Sequence, residues 1–261
     1  RDVVGEKHPD TAMSYNNIGN VYHNLEDYDK ALEYYNKALE IKKDFLGENH
    51  PDIAAIYNNI GCVYDNLGKC DKALKYHNKA LEIRKDVLGE NHHNTAKSYN
   101  NIGNVYKYLK DYNKALEYYN KALEIKKDVL GENHSDTASS YNNIGFIYSN
   151  LGNYDKALEY LNKALEIRKE VLQENTPYTA TTYDNIGDVY NKLREYNKAL
   201  EYHKKSLKIR KEILGESHSH TKRTLLKIEL MELILGKWQG KTEEPKSTQE
   251  TLQNKVEEPN V

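Results

Sequence analysis

Apolar residues recur along the chain at intervals of three and four. From Ala12 one series runs through Tyr15, Ile18, Gly19, Tyr22 and Leu25; after a polar Glu26-Asp27 step, a second runs through Ala31, Leu32, Tyr35, Ala38 and Leu39. That spacing is the period of a helix with one buried face, so the pattern predicts two amphipathic helices joined by a short turn. Lys42 and Lys43 followed by Gly47 mark the end of the second helix, and Pro51 suits the first turn of the next one. Gly19 is expected to face Ala31 and Ala38, small residues that let the paired helices approach closely. A bulky side chain at the matching Gly103 or Ala115 is then expected to overpack the contact.

The helix pair repeats. An Asn-Ile-Gly element places its isoleucine at Ile18, Ile60, Ile102, Ile144 and Ile186, a constant interval of 42 residues. Between Ser14–His50 and Ser98–His134 only 5 of 37 positions differ. Five full repeats occupy 10–217. Residues 1–9 read as the end of a preceding repeat, because Val4-Gly5-Glu6 aligns with Leu88-Gly89-Glu90. Residues 218–236 keep the first-helix pattern but carry Glu229 in the glycine column and no second helix, so they are expected to cap the array. Residues 237–261 are polar and poor in apolar side chains, which predicts disorder.

These residues carry a family resemblance. Tyr15-x-x-Ile18-Gly19-x-x-Tyr22, then Ala31-x-x-x-Tyr35 and Ala38, resembles the tetratricopeptide repeat, with Tyr and Ile in place of its Trp and Leu. The 42-residue length and the Leu-Gly-Glu-Asn-His-Pro-Asp junction at Leu46 to Asp52 are similar to the repeats of kinesin light chain and nephrocystin-3-like proteins. The resemblance implies an all-α fold, a right-handed α-solenoid of antiparallel helix pairs with five full repeats and a C-terminal capping helix. In such an array each repeat buries its apolar face only against its neighbours. The heptad coiled coil that joins kinesin light chains to their motor has no counterpart in these residues.

Composition narrows the function. In 261 residues, 38 Lys and Arg face 40 Asp and Glu, a net charge of −2 that argues against nucleic-acid binding. The mean hydropathy of −0.91 is low for one compact core and suits an extended molecule. The 23 tyrosines beside 1 tryptophan and 2 phenylalanines follow from repeated positions. No apolar run approaches the ~18 residues of a membrane span. Cys62 and Cys70 are too few for a disulfide framework and lack metal-ligand spacing, which points to a reducing, cytoplasmic setting.

By the resemblance, the first helices line a concave groove. One column across the repeats runs Asn16, Asn58, Asn100, Asn142 and Asp184; the next runs Asn20, Cys62, Asn104, Phe146 and Asp188. A carboxamide both donates and accepts, so the first column reads as a rail for the backbone of an extended peptide. The adjoining Asn17, Asn59, Asn101, Asn143 and Asn185 are expected to pair within the protein. Neutral hydrogen bonds contribute net only about 0.5–1.5 kcal/mol each, so anchoring is assigned to variable positions. Lys97, Lys107, Tyr108 and Phe146 are expected to cluster there and to receive an acidic and an aromatic or aliphatic residue. Asparagine where a carboxylate clamp would need lysine argues against that mode. The charged second-helix face, with Glu33/Lys37 and Glu40/Lys43, reads as solvated and self-paired.

Histidines recur at the repeat junctions, at His8, His50, His92, His134 and His218, without a converging Cys or carboxylate set. They are expected to cap or pack loops; no metal ligand, cofactor site or catalytic constellation is assigned. The leading function is a non-catalytic protein-protein interaction scaffold binding peptide segments, extended by the kinesin-light-chain resemblance to a cargo-adaptor role. Two other classes stay open, a sensor or autoinhibitory arm of a larger enzyme and a passive spacer.

Overall fold

The computed structural model describes residues 8–171 and 175–236. Of the segment expected to end an earlier repeat, only His8 and Pro9 fall within it, and the polar tail at 237–261 lies outside the described residues. Regular structure there is entirely helical: α1 (Pro9–Asn24), α2 (Tyr28–Leu46), α3 (Pro51–Asn66), α4 (Cys70–Leu88), α5 (His93–Tyr108), α6 (Tyr112–Leu130), α7 (Ser135–Asn150), α8 (Tyr154–Val171), α9 (Pro177–Lys192), α10 (Tyr196–Leu214) and α11 (Ser219–Ile234). The protein is an all-α array of helix pairs. It divides into two compact units, 1–132 with α1 to α6 and 133–261 with α7 to α11. Within each unit every pair packs on the next, and α11 packs on α10.

Local chemistry ends each helix where the pattern says it should. At α1, α3, α5, α7 and α11 the junction histidine is the N-cap, and its Nδ1 accepts the backbone N–H two residues on, at 3.1–3.2 Å. Thr176 caps α9 instead, its Oγ1 accepting the backbone N–H of Thr179, three residues on, at 3.1 Å. The turn after each first helix needs one residue at positive φ. Gly68 (φ 67°) and Gly152 (φ 78°) supply it without strain, whereas Glu26, Lys110 and Arg194 adopt φ of 59–61° at some cost.

Packing within a pair depends on two recurring contacts. The first is aromatic: Tyr34 stacks on Tyr22 at 5.5 Å and tilts against Tyr15 at 5.8 Å, and the same trio recurs in all five repeats. This accounts for much of the tyrosine excess. The second involves Gly19, whose nearest neighbour is the ring of Tyr35 and not the expected Ala31 or Ala38, although at Gly145 the carbonyl of Ala157, the counterpart of Ala31, also comes within 3.1 Å of an added Cβ. A Cβ at Gly19 would lie 2.7 Å from two ring carbons. Gly103 meets Tyr119 in the same way, Gly61 and Gly187 meet His77 and His203, and Gly145 meets Leu161.

Between pairs, a basic residue near the end of α2, α4, α8 and α10 reaches the first helix that follows. Lys42 pairs with Asp52 at 2.7 Å; Arg84 donates to the carbonyl of Asn94 at 3.1 Å and to Ser98 Oγ at 2.7 Å; Arg210 donates to the carbonyl of His220 and to Thr224. The expected Glu33–Lys37 pair forms at 2.6 Å, but Lys43 turns from Glu40 to Glu48 at the junction, 2.9 Å away. Stacking decides burial: Ile18, with no described pair before it, is 37% exposed, whereas its counterpart Ile60 is 1% exposed.

Tyr119 is fully buried and cannot retreat from an added methyl group. Gly103→Ala is therefore expected to cost about 1–3 kcal/mol, lowering the urea midpoint followed by circular dichroism. An unchanged midpoint would show that the ring has room to move.

Candidate functional site

The candidate residues lie on the first helices, which touch one another across repeats, α1 with α3 and α7 with α9. Their asparagines form a ladder between repeats. Asn59 Nδ2 donates to Asn16 Oδ1 at 3.2 Å and reaches Asn20 Oδ1 at 3.5 Å. Asn101 Nδ2 donates to Asn58 Oδ1 at 2.7 Å, and Asn185 Nδ2 to Asn142 Oδ1 at 3.1 Å. Asn59, Asn101 and Asn185 of the Asn17-type column thus pair internally, and their partner is the column read as a peptide rail. At Asn16, Asn58 and Asn142 the acceptor oxygen is turned to the next repeat. Asn142 also accepts from Thr182 and is buried. The cause is the stacking: helices lying side by side bring the amide of one repeat onto the carboxamide of the one before.

Asp184 replaces asparagine in this column and anchors a closed ionic cluster. It faces His203 Nδ1 at 3.1 Å and Arg210 at 2.8 Å and accepts from Thr224 Oγ1 at 3.0 Å. Nearby, Lys227 pairs with Asp188 at 2.6 Å. Burial opposes the charge of Asp184, but the His203 hydrogen bond and the charges of Lys227 and Arg210 outweigh it, holding its pKa down at about 2.

The second column is matched to the buried residue beneath it. Tyr35 donates to Asn20 Oδ1 and Tyr119 to Asn104 Oδ1, both at 2.7 Å. His203 Nε2 lies 3.6 Å from Asp188. Phe146 shares its repeat with an apolar residue, Leu161, in the buried column. The side-chain chemistry at Asn20 and Asn104 therefore follows from the core residue that each one meets.

The expected cluster of anchors is only partly assembled. Lys97 and Lys107 stand ten residues apart on α5, roughly 15 Å along the axis, so one compact pocket does not hold both. Lys97 is exposed in the first turns, while Lys107 and the half-exposed Tyr108 lie at the end of the helix. Lys107, Tyr108, Asn104 and Asn101 do line one open pocket of about 330 Å³ with Cys62, Asp65, Asn66 and Cys70. Burial holds the Lys107 pKa below the usual lysine value. Phe146 belongs to the second unit and is half-buried there.

Two residues of the pocket wall, Cys62 and Asp65, belong to a constellation missed by spacing rules. Cys62 and Asp65, one turn apart on α3, meet His77 of α4, and their ligating atoms all lie within 4.8 Å of one another. His77 Nε2 is 2.8 Å from Asp65 Oδ2. Reading three repeat columns together would have found it, because no other repeat combines Cys, Asp and His at these positions.

A sequence model of the tetratricopeptide repeat matches residues 1–44, 10–86, 66–128, 94–170, 136–212 and 178–239. The chain belongs to the tetratricopeptide repeat family. Tetratricopeptide repeats generally mediate protein-protein interaction and are typically non-catalytic. No curated protein is similar enough in sequence to count as a match. Among solved structures, BtubC (BKLC) from P. vanneervenii is 28% identical over 76% of this chain and 78% of its own, with a TM-score of 0.66. A kinesin light chain-like protein with nearly identical repeats from Podosopora anserina is 18% identical over 78% of this chain and 97% of its own, with a TM-score of 0.65. A Rap protein complexed with Competence and Sporulation Factor is 22% identical over 85% of this chain and 58% of its own, with a TM-score of 0.67. No helix among the described residues is long and apolar enough to cross a membrane.

The depressed pKa of Asp184 makes a prediction with a sign. Its folded value lies below the unfolded one of about 3.9, so its contribution is complete above pH of about 4 and is lost as pH falls towards 2. The thermal midpoint should drop over that window. Asp184→Asn should start from a lower midpoint and show a shallower drop, and an equally steep one would place the titration elsewhere.

Proposed function

We propose that this chain is a non-catalytic, cytoplasmic scaffold that holds a peptide segment of a partner protein against its first helices, in the manner of a cargo adaptor. The observation that supports it most is the open pocket between α3 and α5, where Tyr108 and Lys107 stand beside amide groups of Asn101 and Asn104. That combination suits an extended segment carrying one acidic and one aromatic or aliphatic side chain. Lys97, farther along α5, offers a second cationic contact. The likeness to BtubC and to the kinesin light chain-like repeats supports the adaptor role, and free thiols at Cys62 and Cys70 suit a reducing compartment.

Because most asparagine oxygens of the ladder are engaged between repeats, affinity depends on these few anchors. A dissociation constant in the micromolar range, about −8 kcal/mol, is expected. Peptide display against the full chain should enrich ligands of that character. Lys97→Glu and Tyr108→Ala, both exposed substitutions, should each weaken the selected peptides about tenfold in a titration. Peptides that bind both variants as well as the parent would move the site away from α5.

A further inference from the structure

We propose that Cys62, Asp65 and His77 form a binding site for one zinc-class divalent cation, held by sulfur, carboxylate oxygen and imidazole Nε2. The proposal stands on this geometry and not on the peptide reading. Cys62 and Asp65 are three residues apart on α3 and project from the same face, while His77 comes up from α4 through the gap left by Gly61. Zinc takes sulfur at about 2.3 Å and nitrogen or oxygen at about 2.0–2.2 Å. Ligand atoms already within 4.8 Å of one another stand close to the spacing that such an ion requires. Coordination breaks the Cys62 S–H bond and releases its proton to solvent. The thiolate and the Asp65 carboxylate then carry two negative charges, which the cation cancels. The mixed sulfur, nitrogen and oxygen set favours zinc or cobalt over magnesium or calcium.

The surroundings fit this use. Asn58 Nδ2 donates to Cys62 Sγ at 3.8 Å, and Asn58 is itself held by Asn101, so the sulfur has an oriented donor behind it. Cys62 and Asp65 also line the open pocket, from which water can complete a tetrahedron.

Comparison between repeats separates this cluster from ordinary core polarity. His203, the counterpart of His77, has a carboxylate near each ring nitrogen, Asp184 and Asp188, within a network closed by Arg210 and Lys227. His77 is fully buried, yet its Nδ1 has no hydrogen-bond partner, and its Nε2 meets a single carboxylate, Asp65, at 2.8 Å. The fifth repeat is a saturated ionic lock; the second is an incomplete one with a thiol facing an open pocket. In the third repeat the same positions are Asn104, Lys107 and Tyr119, joined by the Tyr119–Asn104 hydrogen bond. Those residues supply a replacement set that this backbone accommodates.

The test titrates the reduced, chelator-treated full chain with Co²⁺ and then with Zn²⁺. One equivalent of Co²⁺ should give a sulfur-to-cobalt charge-transfer band with intense tetrahedral d–d absorption, and Zn²⁺, but not Mg²⁺, should remove it. Cys62→Ser and the combined Cys62→Asn, Asp65→Lys, His77→Tyr variant should lose the band while keeping the helical circular dichroism of the parent. Cys70→Ser should retain it. The proposal is overturned by absence of the band in the parent, by its survival in Cys62→Ser, or by its equal loss in Cys70→Ser. Cobalt bound only through the junction histidines would give no sulfur band and would count against it.

Discussion

The array depends on one steric constraint, the missing Cβ at Gly19, Gly61, Gly103, Gly145 and Gly187. A side chain from the second helix fills each gap and brings its backbone against the first helix. Where that side chain is tyrosine or histidine, its polar tip reaches the Asn20-type column of the first helix. Tyr35 and Tyr119 meet asparagine there, and His203 meets aspartate. Changing the buried residue thus changes what the surface residue above it must be. The surface column is chosen from below, which is why the repeats differ in matched sets.

A second constraint acts between repeats. Each pair exposes an apolar face that only a neighbour can cover, and the contrast between Ile18 and Ile60 shows what that covering removes from water. Burying one such side chain is worth roughly 1.5–3 kcal/mol. Over the same interface the asparagine ladder and the Lys42, Arg84, Arg168 and Arg210 column supply directional contacts. Apolar burial drives the stacking, and the polar contacts select the register in which amide meets carboxamide. Groups used for register are thereby engaged inside the array.

Much of the fold was legible in the residues themselves. Helix pairs, the 42-residue interval, the C-terminal signal at Gly47 and the junction caps all follow from local periodicity and capping chemistry, which act within a few residues. The partner of Gly19 was not legible: Ala31, Ala38 and Tyr35 share one helix face, and which of them meets the glycine depends on the rotation and offset of two helices. The Asn16 and Asn17 columns present the same difficulty. Both are conspicuous, yet the ladder joins Asn59, Asn101 and Asn185 of one to the other column a full repeat away, a contact that exists only after stacking.

Local interactions repeated along the chain were enough to determine its helix pairs, their period and their family. Tertiary structure alone decided which asparagine oxygens face inward, that Lys97 and Lys107 stand apart, and that Cys62, Asp65 and His77 converge. The physical reason is distance along the chain. Cys62 and His77 lie fifteen residues apart on different helices, and no turn, cap or periodicity rule reaches that far. They meet because Gly61 lets the buried imidazole rise between the helices.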